Sequence, residues 1–134
     1  MRYMELTPDL YTGVKDMDDQ HQGIVDRINT LANLLSADKL QEAINFYKNE
    51  LLPFVVWHLQ EEEKFMQEIG YPDFEEHQRH HKWVIDLFTK LGEEMQDKKQ
   101  ARQALAILTG WLYGHVGRVD KRYGEFHSKL HTPV

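Results

Sequence analysis

The sequence predicts an all-α fold: an antiparallel up-down-up-down four-helix bundle with an extended N-terminal arm and a short C-terminal helix or tail. Three observations predict it. Four stretches place apolar residues three and four positions apart, the spacing of one helix face. Short turns punctuated by Gly, Pro and Asp separate those stretches. In the antiparallel order, the histidines and acids lying on the stripes all fall at one depth of the core. The 134 residues suffice for one domain, residues 1–134, with a real core, and no repeat, low-complexity tract or linker divides them.

Residues 1–17 read as the arm, because Pro8 and Gly13 break any helix there. The first helix, about 18–37, is expected to start at Asp18 or Asp19, either of which suits an N-cap. Its stripe of Ile24, Ile28, Leu31 and Leu35 reaches back one turn to His21. The second helix, 39–69, has Asp38 as its expected cap with Gln41 in the capping-box position. Its stripe is Val55, His58, Glu62, Phe65, Met66 and Ile69. Pro53 should kink it one turn before His58, and Gly70 and Pro72 end it. The third helix, 73–96, opens on the capping pair Asp73 and Glu76. Its stripe is Phe74, His77, His81, Val84, Phe88, Leu91 and Met95. Gly92 and the polar run 97–100 mark the next turn. The fourth helix, 100–119, carries Ala101, Leu105, Leu108, Leu112, His115 and Val119, with Asp120 at its end. In the tail, 121–134, Tyr123, Phe126 and Leu130 share one face of a further short helix.

Composition excludes several classes. The net charge of −6 argues against nucleic acid as the main partner. The absence of cysteine removes disulfides, thiolate metal sites and iron–sulfur clusters, and fits a reducing compartment. The start MRYMELTPDLY has no apolar signal region, and no apolar run approaches ~20 residues. A cytoplasmic protein without membrane contact is expected.

His21 is early in its helix, His58 and Glu62 late, His77 and His81 early, and His115 and Asp120 late. Antiparallel packing therefore gathers all seven at one end of the core. A single histidine on an apolar stripe is usually a hydrogen-bonded core residue. Five with two carboxylates are not, because burying several titratable groups unpaired is too costly. Glu61 competes with Glu62 for the inward position, but Val55, Phe65, Met66 and Ile69 phase with Glu62. Glu61 and Glu63 then read as solvated. Asp120 lies i+5 from His115, ~140° off its face on a regular helix, and reaches the site only if the helix bulges. Gly114 and Gly117 permit such a distortion, or serve close packing. His80 is expected to be exposed, and His127 and His131 to lie outside the site. Trp57, Trp83 and Trp111 read as packing residues or as a shield against water. Gly110 and Gly114 form a GxxxG, whose membrane reading has no lipid-spanning segment to support it.

Seven such ligands exceed the four a structural zinc takes and suit two metals bridged by carboxylates. Imidazole with carboxylate accommodates iron, zinc, copper or manganese. Paired Glu-x-x-His motifs, His-Glu-x-x-His, a Gly-rich phosphate loop and GxSxG are all absent.

The pattern His21, His58-x3-Glu62, His77-x3-His81, His115-x4-Asp120 resembles the hemerythrin family in its single-domain bacterial form. The family is itself a known example of the up-down-up-down bundle. TGVKDMDDQH (12–21), HLQEEEKFM (58–66), YPDFEEHQRHH (71–81) and HVGRVDKRY (115–123) carry the resemblance over nearly the whole chain. It implies two non-heme irons, one held by His77, His81 and His115, the other by His21 and His58 with an open position. Glu62 and Asp120, with an oxo or hydroxo group, would bridge them. It further implies reversible dioxygen binding for carriage, storage or delivery to an oxygen-using enzyme, by a monomer that is not an enzyme. The other readings are a sensor acting through a signalling partner, a di-iron peroxidase, oxidase or nitric oxide scavenger, and metals that only stabilise the fold. Ile24, Trp111, Leu112 and Gly117 are the expected lining of the ligand pocket. Two positions depart from the family: Leu6 stands where a tryptophan is usual, and Gly117 where a larger apolar residue is common. Both are expected to open room beside the metals and to speed autoxidation.

Overall fold

The computed structural model describes residues 3–130. The four apolar stripes become four rods, and no strand occurs among the described residues. The first rod is α1 (Lys15–Ser36). The second is α2 (Leu40–Phe46), a π turn (Tyr47–Leu51) and α3 (Leu52–Glu68). The third is α4 (Phe74–Glu94). The fourth is α5 (Lys98–Gly114), a second π turn (His115–Asp120) and α6 (Lys121–Leu130). α1 and α4 each pack against both α3 and α5, which closes the antiparallel bundle. The arm crosses it through a 3-10 turn, Pro8–Leu10.

Several helix ends differ from the sequence expectation, each for an identifiable reason. Asp18 does not cap α1, which already starts at Lys15. Its carboxylate turns back to the arm instead, accepting from the Thr12 amide (2.7 Å), the Thr12 hydroxyl (2.8 Å) and the Gly13 amide (3.2 Å). Gly13 makes that return possible with φ of 87°. Asp38 adopts φ of 57° in the turn after α1 and forms no cap with Gln41. Its carboxylate accepts from Lys98 Nζ at 2.5 Å. Asp73 makes no side-chain cap either. The capping box sits at Asp97 and Gln100, so α5 starts at Lys98, two residues earlier than expected. Gly92 lies inside α4, not in a turn; a Cβ there would stand 2.9 Å from the Tyr47 ring, so the glycine makes room for that ring. The break expected at Pro53 is the π turn immediately before it, a wider turn that relieves the ring and its missing N–H. The fourth rod does not stop at 119 but runs on through its π turn to Leu130. His131 lies outside the described residues.

The core has two parts. The larger apolar cluster draws Ile24 and Ile28 from α1, Val55 and Leu59 from α3, Val84 and Phe88 from α4 and Leu108 and Leu112 from α5; Met4, Leu6 and Leu10 of the arm join it. Full burial of each such side chain contributes ~1.5–3 kcal/mol. The smaller cluster, Val14, Met17, Met66, Tyr71 and Tyr123, lies further toward the other end of the rods. The seven polar residues fall between the two clusters along every rod. No helix among the described residues is long and apolar enough to cross a membrane.

Candidate metal centre

Each rod supplies ligands where its apolar stripe continues on either side. On α1, Met17 precedes and Ile24 follows His21; on α3, Leu59 and Met66 flank Glu62. His21, His58, Glu62, His77, His81, His115 and Asp120 are all buried, and Glu62 and Asp120 are wholly so. Asp120 reaches the site because residues His115–Asp120 form a π turn, whose wider pitch carries the i+5 side chain over the first. Asp120 Oδ1 stands 2.8 Å from His115 Nε2. The bulge is the physical answer to the awkward spacing.

The carboxylates divide the histidines into two sets. Glu62 Oε1 faces His77 (3.0 Å), His81 (2.9 Å) and His115 (3.3 Å). Glu62 Oε2 faces His58 (3.1 Å) and His21 (3.6 Å). Asp120 repeats the division, with Oδ1 toward His77 (3.2 Å) and His115 and Oδ2 toward His21 (3.1 Å). Each carboxylate thus turns one oxygen to each set. In all these contacts the histidine presents Nε2.

Electrostatics follow from burial and proximity. Burial raises the Glu62 carboxyl, but the imidazoles of His115, His21, His58 and His77 gathered around it outweigh this and hold the group well below the usual carboxylate range. Burial and the Glu62 charge raise Asp120, and His115 and His21 reverse this, leaving it depressed. Burial lowers His21 and His115, yet their carboxylate partners lift them to about 9 and about 10. His77 is raised by the same balance. Burial prevails at His58, which is lowered.

Four neighbours not expected from the sequence support the cluster. The Nδ1–H of His58 donates to Gln20 Oε1 at 2.7 Å, which leaves Nε2 with its lone pair facing the carboxylates. Tyr123 donates its hydroxyl to Glu62 Oε2 at 3.2 Å. Glu63 is not simply solvated: its carboxylate stands 3.6 Å from His81 Nδ1. His80 is half-buried, with its ring stacked on His115 at 5.2 Å. Tyr123 lies three positions after Asp120, a signal of a shared face. Gln20 and Glu63 lie beside ligands in the chain and off the stripes, so periodicity does not find them.

Of the expected lining, Ile24 and Leu112 are buried in the larger cluster, and Trp111 stacks on His115 at 5.1 Å. Gly117 does not open the room expected of it. A Cβ there would meet Leu10 Cδ2 at 3.2 Å, so the arm occupies that space. Leu6 is likewise buried in the larger cluster. Of the tryptophans only Trp111 packs inward against Phe88; Trp57 and Trp83 are exposed.

The residues fit a pair of metal ions. His21 Nε2, His58 Nε2, His81 Nε2 and both Asp120 oxygens are buried without a hydrogen-bond partner, a state that buried polar atoms avoid unless something else binds them. Their ligand atoms form two tight groups, Glu62 with His77, His81 and His115, and His21 with His58, Glu62 and Asp120. A bundle that encloses two such groups belongs to the class of non-heme dimetal proteins. The family model for the Hemerythrin HHE cation binding domain matches residues 12–126. The chain belongs to the hemerythrin family. It is 30% identical to a bacteriohemerythrin of Methylococcus capsulatus over 115 residues, 84% of this chain and 87% of that protein. It is also 30% identical to a bacteriohemerythrin of Pseudomonas aeruginosa over 128 residues, 92% of this chain and 80% of the relative. A crystal structure of wild-type hemerythrin superposes with a TM-score of 0.79 at 30% identity, covering 92% of this chain and 96% of the other. The two ligand groups match the carboxylate-bridged, non-heme di-iron centre typical of that family.

Proposed function

We propose that the protein binds dioxygen reversibly at a di-iron centre held by His21, His58, Glu62, His77, His81, His115 and Asp120. The observation that carries the reading is the two-sided placement of both carboxylates, one oxygen to each histidine set. His77, His81 and His115 would hold one iron, His21 and His58 the other, and Glu62 and Asp120 would join them. The set with two histidines would leave a position for the ligand. Two irons held there would supply the two electrons by which dioxygen is bound, and would recover them on its release.

The chain's own residues make that reversible. Gln20 fixes the His58 ring, and the Tyr123 hydroxyl anchors the Glu62 oxygen that faces it. Ile24 and Leu112, buried in the larger cluster, exclude the water and protons that would leave a spent ferric site. The family's carrier role supports a protein that is not an enzyme, and the net charge of −6 supports one without a nucleic-acid partner.

The test is a visible spectrum of iron-loaded, reduced protein without oxygen, with oxygen, and after its removal. A colourless reduced form with two irons per chain should gain a band with oxygen and lose it again. A band that never appears, or that passes straight to a fixed ferric spectrum, refutes reversible binding.

A further inference from the structure

A column of aromatic rings runs from the surface to the metal centre. Trp83 on α4 is 60% exposed. One turn back, His80 stacks against it, with ring centroids 6.1 Å apart and planes at 26°. His80 lies nearly flat on His115, at 5.2 Å and 16°. Trp111 also lies nearly parallel to His115, at 5.1 Å and 18°, and Phe88 meets Trp111 edge-on. The ligand geometry uses neither His80 nor Trp83.

We propose that Trp83 and His80 form the route by which electrons reach the metal centre. Trp83 is the contact for an external electron donor, and His80 couples it through ring stacking to His115. The proposal rests on the di-iron reading above. A site that takes up dioxygen in its ferrous state is spent once both irons are ferric, and electrons from outside must restore it. The apolar shell that keeps out water also keeps out a bulky reductant, so the donor acts at a distance. Tunnelling falls steeply with separation and favours rings in contact. A flavin hydroquinone is a donor of suitable chemistry. Each ferric ion gains one electron, one hydroquinone supplies both, and it leaves as oxidised flavin with its two protons passing to water. A competing approach is the surface cleft of about 160 Å³ lined by Tyr71, Asp73, Glu76, His77, Val119 and Arg122, together with His80, which reaches His77 from solvent.

The experiment follows stopped-flow reduction of the ferric, iron-loaded protein by photoreduced riboflavin. Wild type is compared with Trp83→Leu, His80→Leu and His80→Phe, with iron content and ferric spectrum checked in each. Both leucine variants should be slower by about tenfold or more, while His80→Phe keeps most of the rate because a ring remains in the stack. A second readout needs no iron. In the metal-free protein, the His80 ring protons should be shifted by the indole in the NMR spectrum, and Trp83→Leu should abolish that shift. Normal iron loading with equal reduction rates overturns the relay alone and points to the cleft at His77. An unshifted His80 ring, or a His80→Phe rate as low as that of His80→Leu, also overturns it. Failure of the wild type to bind iron would overturn the di-iron reading and the relay with it.

Discussion

Gly124→Ala tests whether the arm holds the bundle shut over the metal centre. In an ordinary helix this change stabilises by ~1 kcal/mol, because glycine is the poorer helix former. Here the sign should reverse. A Cβ on Gly124 would stand 2.1 Å from the Thr12 carbonyl oxygen and 3.0 Å from its carbon. Contact at van der Waals distance requires one backbone to retreat by roughly 1 Å or more. α6 cannot retreat cheaply, since neighbouring Tyr123 is fully buried and bonded to Glu62. Thr12 is tied to Asp18 by two short hydrogen bonds, but it belongs to the arm and is the part that yields. Overpacking costs about 1–3 kcal/mol, and the loosened bonds about 1 kcal/mol each. The chain entropy regained by a freed arm returns some of this, leaving a net loss of about 2–3 kcal/mol. With a urea slope of ~1–3 kcal/mol per molar, the unfolding midpoint should fall by about 0.7–3 M. Leu10 would leave Gly117, so the oxygenated form should also decay faster. Amide exchange should rise at Leu10 and Tyr11, whose N–H groups bond Thr7 and Pro8 within the arm. A midpoint that is unchanged or higher, with the arm amides still protected, would refute the reasoning.

Leu10→Ala should leave a cavity beside Gly117, cost about 2–5 kcal/mol and speed autoxidation. Gly117→Leu should also destabilise, because it pushes against Leu10 and has no void to fill. Slower decay of the oxygenated form in Gly117→Leu would show that the arm does not occupy the space. Tyr123→Phe removes the hydroxyl from Glu62 Oε2, which should cost about 1–2 kcal/mol and weaken iron retention against a chelator; retention equal to wild type would count against the anchoring role. The metal-free protein should be pH-sensitive. His21 and His115 are raised from 6.5 to about 9 and about 10, so their stabilisation is complete below 6.5 and is lost as pH climbs through those values. Glu62 and Asp120 are depressed, and theirs is lost only in acid. Urea midpoints should therefore drop between neutrality and pH 10, and iron loading at pH 7 should release protons from His21 and His115, readable with an indicator dye. A flat profile, or loading without proton release, contradicts that charge arrangement.

The parts of the fold that were legible are those that periodicity encodes. Val55, Phe65, Met66 and Ile69 share a phase with Glu62, and in the structure Glu62 is buried while Glu61 lies at a surface cleft. The spacing of Asp120 from His115 was readable as a conflict, and a conflict between a helix and its side chains has few physical outcomes. A π turn is one of them. Helix ends were not legible in the same way. Asp18, Asp38, Asp73 and Asp97 all sit in plausible capping positions, yet only Asp97 caps, and Asp18 and Asp38 are taken by donors on the arm and on Lys98. A carboxylate accepts whichever donor the finished fold brings near, and local sequence does not contain that donor. The same reasoning covers Gly117 and His80. A stripe says which face of a helix is turned inward; it does not say what lies against that face. A resemblance that flags Gly117 as smaller than usual cannot show that Leu10 fills the gap. A histidine off the stripe cannot show that the ring on the next rod is another histidine bound for the metal. At such positions two residues far apart in sequence act as a pair, so a change at one should be read only with its partner.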